Sequence, residues 1–149
     1  MYKQKMPVEP IFWQPLSAFE SEQLPYFWYQ WLSDRGSLTS RLVKASGNRF
    51  SVKVLSQRED VPLATEAQAL NITVQTPVLV RQVILYGDHI PWVFARSIMP
   101  LTTLTGRVAE LRNLDNQPLG ARLFSDSSMS RETVEVAYFN AQELAVPIG

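Results

Sequence analysis

The chain has 149 residues, of which 46% are hydrophobic, and a formal net charge of zero. That length fits one domain with a real core, and the balanced charge predicts no general attraction to nucleic acid or to an anionic membrane. Cysteine is absent and His89 is the single histidine, which excludes disulfides, thiol catalysis and multi-histidine metal sites.

The N-terminal segment does not have the pattern of a signal peptide. Its two lysines are followed by Pro7, Glu9 and Pro10 rather than by an apolar run. Elsewhere Arg, Gln, Asp or Pro interrupts each apolar stretch before it reaches the length of a membrane span. We therefore expect a cytoplasmic protein in which residues 1–149 form a single domain.

The first half of the chain predicts mainly helices. Aromatic residues at helical spacing indicate the first of them, and Ser37 and Gly47 are suited to cap the second. Phe50, Val52 and Val54 alternate with polar residues, as in a half-buried strand. The predicted elements are an irregular segment at 1–19, helices at 22–32, 38–44 and 65–70, a strand at 49–57 and a polar turn at 58–64.

A β-hairpin is the clearest prediction in the second half. Residues 78–86 and 90–98 are rich in β-branched and aromatic types, and Gly87-Asp88-His89 separates them. The fold class is therefore α+β, an antiparallel sheet with helices packed on one side. The remaining predicted elements are a turn at 101–106, helices at 107–113 and 118–124 and a strand at 129–138; the tail at 139–149 has little pattern.

Each hairpin strand carries one arginine among apolar neighbours. Alternation places Arg81 on a face with Leu79, Val83 and Leu85, where a guanidinium without a partner is very costly. A two-residue turn would place Arg96 directly opposite Arg81, so that the two could share one anion, whereas a bulge or a three-residue turn would move Arg96 away from Arg81. Arginine binds carboxylates in a bidentate manner. An anion site and a structural ion pair with Glu or Asp both remain open on this pattern.

Other polar residues are weaker candidates for a site. His89 lies at the hairpin tip, where a histidine is usually only a loop residue. The serine cluster could bind a ligand, although turn and capping roles are more common for such residues. No paired metal-ligand motif or glycine-rich phosphate loop occurs in the sequence, so no metal site is expected. The cluster consists of Ser125, Ser127, Ser128 and Ser130.

Several sequence blocks carry a resemblance that covers most of residues 25–138. They are Trp31–Leu42, Val80–Leu85, Pro91–Gly106, Pro118–Phe124 and Ser128–Arg131. In this order and spacing they resemble the bacterial chorismate pyruvate-lyases, which make 4-hydroxybenzoate for ubiquinone. The resemblance implies a ligand pocket under two helical flaps in an antiparallel α+β fold.

The resemblance also implies a reaction and its site. Chorismate loses its enolpyruvyl group as pyruvate, and aromatisation of the ring drives the step without a metal or an organic cofactor. Arg81 matches the family's catalytic arginine, which binds the ring carboxylate. Leu38 and Leu119 match the two flap positions that contact the ligand. The implied partners are chorismate and 4-hydroxybenzoate, and a fold of this size is expected to act as a monomer.

One element of the family pattern has no counterpart in the chain. The family has a glutamate in a C-terminal strand that hydrogen-bonds the ring hydroxyl, and Glu132, Glu135 and Glu143 do not match it. We therefore expect either a truncated chain or a divergent member that lacks this acid. This departure keeps an alternative open, a non-catalytic module of the same fold that binds a small carboxylate, as in the ligand-sensing domains of certain bacterial transcription regulators. A third reading is an α+β domain in which Arg81 is only structural.

Overall fold

The computed structural model describes residues 12–20 and 22–138, and the chain divides into two compact units. The larger unit runs from Gly36 to Met129, and the smaller one combines the described residues up to Arg35 with those from Ser130 onward. No helix in these described ranges is long and apolar enough to cross a membrane. That residues 1–149 form a single domain stays a prediction.

The described residues form short helices, three long strands and two strands of two residues each. In chain order they are β1 (Gln14–Pro15), a 3₁₀ helix (Leu16–Ala18), α1 (Tyr26–Leu32), α2 (Leu38–Ala45), β2 (Phe50–Asp60), α3 (Ala64–Leu70), β3 (Val78–Gly87), β4 (Ile90–Pro100), 3₁₀ helices (Leu101–Thr103 and Gly106–Asn113), α4 (Leu119–Phe124) and β5 (Glu135–Val136).

The smaller unit contains α1 and a two-stranded antiparallel pair of β1 and β5. The predicted strand at 129–138 is wrong outside Glu135–Val136, because within the described residues only the two-residue β1 pairs with this segment. A strand persists only where a neighbour takes up its backbone hydrogen bonds. The predicted irregular start contains β1 and a 3₁₀ turn, and residues 1–11 and 139–149 lie outside the described ranges.

The larger unit is built on an antiparallel sheet in the order β2–β3–β4. The predicted hairpin is confirmed, with Gly87 paired to Ile90 across a two-residue turn. Asp88 and His89 have φ values of 51° and 63°, the left-handed backbone that such a turn needs. The fold class is therefore confirmed as α+β with an antiparallel sheet. The strand predicted at 49–57 runs from Phe50 to Asp60. Residues 58–60, predicted as part of a polar turn, therefore belong to the strand.

The core of this unit forms where the helical segments cover one face of β3. Leu79 is buried together with Leu104, Leu111 and Leu114, and side chains of α4 pack against them. The hydroxyl of Ser37 accepts a hydrogen bond from the backbone of Ser40, which confirms the predicted cap of α2. α2 contacts both β3 and α4. The helix predicted at 107–113 is present, but it is a 3₁₀ helix.

Candidate functional site

Arg81 lies in the middle of β3 and is buried to 2% exposure. The alternation predicted for this strand is confirmed, because Leu79, Val83 and Leu85 are buried on the same face. Burial lowers the pKa of the Arg81 guanidinium below its usual range, while the negative charge of Asp115 acts in the opposite direction. An arginine nevertheless remains protonated at neutral pH, so a full positive charge sits inside the unit.

The guanidinium of Arg81 is hydrogen-bonded to neutral oxygens. Its Nη1 donates to Oε1 of Gln57 at 3.0 Å, and its Nη2 donates to the carbonyl oxygens of Asp115 at 2.8 Å and Gln117 at 2.9 Å. Its Nε is buried and has no hydrogen-bond acceptor among the described residues. A buried donor without an acceptor is rare and costs about 1–3 kcal/mol, so this nitrogen requires an explanation.

These contacts distinguish the two interpretations that the sequence pattern left open. In the part of the chain that the structure describes, no carboxylate forms an ion pair with Arg81, whereas Arg58, Arg96 and Arg112 each form one. Carbonyl and amide oxygens satisfy N–H groups but leave the net charge uncompensated. The geometry therefore favours an anion site over a structural ion pair.

Arg96 does not lie opposite Arg81, because a bulge is present, the arrangement expected to move the two arginines apart. The register opposes Arg81 to Ser97 and Arg96 to Gln82, so the two arginines point to opposite faces of the sheet. Arg96 instead makes a bidentate ion pair with Glu66 of α3, with Nε–Oε2 and Nη2–Oε1 distances of 3.0 Å each.

A bulge in β4 is the reason that Arg81 and Arg96 lie on opposite faces of the sheet. Tyr86 pairs with Pro91 and Leu85 pairs with Val93, so Trp92 is the extra residue. Its ring lies directly against Gly87, where an added Cβ would come within 2.3 Å of the ring carbons. The turn has the two residues that the sequence predicts, and the bulge beyond it displaces Arg96 by one position.

Leu38 and Leu119 are the first residues of two helices that contact each other, α2 and α4. A Cβ placed on Gly120 would lie 3.5 Å from Oγ1 of Thr39, which shows how closely the helix starts approach. The Gln117 carbonyl that accepts from Arg81 is two residues before Leu119. Arg81 and the beginning of α4 are therefore brought together, while ligand contacts of Leu38 and Leu119 stay predictions.

The serine cluster has turn roles in the described residues. The hydroxyl and the backbone N–H of Ser128 donate to Asp126, and these hydrogen bonds lower the pKa of the Asp126 carboxyl. The hydroxyl of Ser125 donates to the carbonyl of Arg122. The neighbouring groove, of about 760 Å³, is lined by Arg107 and Arg122, which pair with Asp126 and Glu110. Both arginines of the groove are therefore paired with carboxylates, whereas Arg81 has no such partner among the described residues.

Among the described residues, neither His89 nor the glutamates compared above with the family pattern form a further candidate site. His89 is exposed at the hairpin tip, Glu132 and Glu135 belong to the smaller unit, and Glu143 lies outside the described residues. Residues 12–20 and 22–138 contain no group of three or more His, Asp or Glu side chains placed to hold a metal ion. A reaction without a metal or organic cofactor stays a prediction.

Three residues that contact Arg81 had no signal in the sequence. Gln57 reaches the face of Arg81 because Leu55 is an extra residue in β2, so simple alternation from Val54 would place Gln57 on the other face. Asp115 and Gln117 act through backbone carbonyls, which any residue carries. The positive φ of Asp115, 51°, is the one local peculiarity, and it is visible only in the structure.

The larger unit is thus an α+β unit with a buried arginine that forms no ion pair with a carboxylate of the described residues, an arrangement that favours a bound anion. Comparison with known proteins identifies the family of the chain. The family model described as Chorismate lyase matches residues 8–146. The chain belongs to the chorismate lyase family.

Curated relatives carry the same family name. Three proteins named probable chorismate pyruvate-lyase are similar to the chain, and it spans about three fifths to two thirds of their length. The relative from Marinobacter nauticus is 39% identical over 117 residues, covering 78% of this chain and 62% of the relative. That from Photobacterium profundum is 38% identical over 112 residues, covering 75% and 62%. That from Chromohalobacter salexigens is 39% identical over 123 residues, covering 83% and 66%.

Proposed function

We propose that the protein is a lyase that converts chorismate to 4-hydroxybenzoate and pyruvate, the first committed step toward ubiquinone. Membership of the chorismate lyase family and the names of the relatives support this reaction. The observation that carries the proposal is Arg81, a buried cation with no carboxylate partner in the described residues and a free Nε donor. Its natural ligand is the ring carboxylate that chorismate and 4-hydroxybenzoate share.

In this proposal the residues around Arg81 bind and orient the substrate. A ring carboxylate that accepts from Nε of Arg81 neutralises the buried charge, and its other oxygen competes with the Asp115 and Gln117 carbonyls for Nη2. Leu38 and Leu119, at the starts of α2 and α4, would contact the ligand from the flap side. Because aromatisation supplies the driving force, positioning and charge stabilisation are the tasks left to the protein.

The proposal is tested by replacing Arg81 with a neutral side chain of similar polarity. In the full-length protein we expect Arg81→Gln to lower kcat/KM for chorismate by roughly 100-fold or more, because the ring carboxylate loses its charged partner. Pyruvate and 4-hydroxybenzoate would both be measured. Arg58→Gln is the matched control, since Arg58 is an exposed arginine of β2 that pairs with Asp60.

Two results would count against the proposed lyase. Unchanged turnover in Arg81→Gln, with Arg58→Gln also unchanged, would remove Arg81 from the site. Tight binding of 4-hydroxybenzoate by the wild-type protein with no pyruvate released from chorismate would instead identify a non-catalytic carboxylate-binding module.

A further inference from the structure

We propose that Gln57 is a positioning residue of the carboxylate site, which holds the Arg81 guanidinium so that its Nε–H stays free for the ligand. This inference rests on the proposed function, because it assigns a second residue to the same site. Gln57 lies on β2, directly opposite Arg81 in the register of β2 and β3. Neither composition nor strand alternation indicates such a role.

The amide group of Gln57 is held at both ends. Its Oε1 accepts from Nη1 of Arg81 at 3.0 Å, and its Nε2 donates to the carbonyl oxygen of Arg112 at 2.6 Å. A guanidinium can only donate and a carbonyl can only accept, so the two partners define the orientation of the amide. Gln57 therefore links Arg81 on the sheet to the 3₁₀ helix that covers it.

The contacts of the guanidinium define which N–H of Arg81 is left without an acceptor. The guanidinium is a rigid planar fork, and its two terminal nitrogens are bound to Gln57 and to the carbonyls of Asp115 and Gln117. With both ends held, the plane cannot rotate about Cδ–Nε to aim another nitrogen at the ligand. Nε is the nitrogen left without an acceptor in the described residues.

Gln57 is also an acceptor that carries no charge. A carboxylate at this position would form a buried ion pair with Arg81 and neutralise it, as Glu66 does for Arg96 on the other face of the sheet. A neutral amide oxygen satisfies Nη1 and leaves the positive charge for an incoming anion. The glutamine thus combines orientation of Arg81 with retention of its charge.

The experiment replaces Gln57 by two side chains that cannot make its hydrogen bonds. Gln57→Met keeps the length, and Gln57→Thr favours a strand, so one of them preserves the fold if the other fails. In the full-length protein we expect affinity for 4-hydroxybenzoate to fall roughly tenfold or more, the effect of losing a hydrogen bond to a charged group. Affinity for the neutral analogue 4-hydroxybenzamide should stay within about twofold of wild type.

The matched control is Gln82→Met. Gln82 is the neighbouring glutamine of β3, but its amide donates to Ser56 at 3.2 Å on the opposite face of the sheet. This variant should bind both ligands as wild type does. The NMR signal of the Arg81 Nε–H reports on positioning and would not change if Gln57 had a purely structural role. This signal should shift when 4-hydroxybenzoate binds to wild type and shift far less in Gln57→Met.

The outcomes separate this inference from the proposed function. Loss of carboxylate binding alone in both Gln57 variants supports the positioning role. Wild-type affinity for 4-hydroxybenzoate in both variants, with binding abolished in Arg81→Gln, overturns the role of Gln57 and leaves the proposed function standing. Equal losses for the carboxylate and the amide overturn it as well, since they indicate a structural role. Absence of carboxylate binding in the wild-type protein overturns both.

Discussion

Arg81 and Arg96 occupy neighbouring strands of one sheet and meet chemically different partners. Arg96 is neutralised by Glu66, whereas Arg81 is surrounded by the amide of Gln57 and two backbone carbonyls. An ion pair that is already complete offers nothing to an external anion, while an unmatched buried cation favours one. At the scale of residues, the charge of the acceptors is therefore what separates Arg96, which is paired within the protein, from Arg81, which we propose to bind the ligand.

The ion pair of Arg96 should contribute measurably to stability. Glu66→Gln leaves Arg96 facing a neutral amide in a partly buried place, so we expect the free energy of unfolding to fall by about 1–3 kcal/mol. Glu59→Gln is the control, because the Glu59–Arg112 pair is more exposed and should be worth less than about 1 kcal/mol. Urea unfolding of both variants checks this, and equal small effects would show that Arg96 does not depend on Glu66.

The β3–β4 hairpin is the element that positions Arg81, and its turn contains two non-glycine residues in the left-handed region. Asp88 and His89 have φ values of 51° and 63°. The backbone N–H of Asp88 donates to the carbonyl of Arg49, and its side chain pairs with the same arginine, so its backbone has local support. The exposed His89 is therefore the position where the steric strain of the positive φ can be relieved by substitution.

We expect His89→Gly to stabilise the protein by up to about 1 kcal/mol, because glycine adopts a positive φ without the steric cost of a Cβ. His89→Ala is the control, since it removes the imidazole but keeps the Cβ, and it should not be stabilising. Thermal unfolding measures both. If the two variants are equally stable, the gain does not come from the backbone of the turn.

Elements with a strong local pattern could be predicted from the sequence, and those that depend on distant partners could not. The hairpin, α2 and the buried face of β3 follow from turn residues, a capping serine and alternation. The strand expected at 129–138 shrinks to Glu135–Val136, because pairing depends on what lies beside it. The bulges at Leu55 and Trp92 change which side chains face Arg81, and each is an effect of packing between strands.

The same limit applies to the candidate site. Arg81 could be selected because a charge on an apolar strand is unusual, and the family resemblance supplied the ligand. The sequence alone could not select the three residues that bind its guanidinium. Gln57 faces Arg81 only because of a bulge, and Asp115 and Gln117 contribute backbone carbonyls. Likewise, the ion pair between Arg96 and Glu66 joins residues 30 positions apart and leaves no local pattern.

At the scale of the whole molecule, the residues assigned to the site belong to one compact unit. Arg81, Gln57, Leu38 and Leu119 all lie between Gly36 and Met129. The chorismate lyase family model matches residues 8–146, which include this unit, and the chain spans about three fifths to two thirds of the length of the relatives. The carboxylate end of the proposed ligand can therefore be tested with substitutions inside this unit alone.

The most direct test of the central claim, that Arg81 binds the ring carboxylate, compares two ligands in two proteins. Calorimetric affinities for 4-hydroxybenzoate and 4-hydroxybenzamide would be measured with wild type and with Arg81→Gln. We predict that wild type prefers the carboxylate and that the substitution lowers this preference by roughly 100-fold, the loss of a charge-assisted pair. An unchanged preference in Arg81→Gln would contradict the claim, because the carboxylate would then be recognised elsewhere.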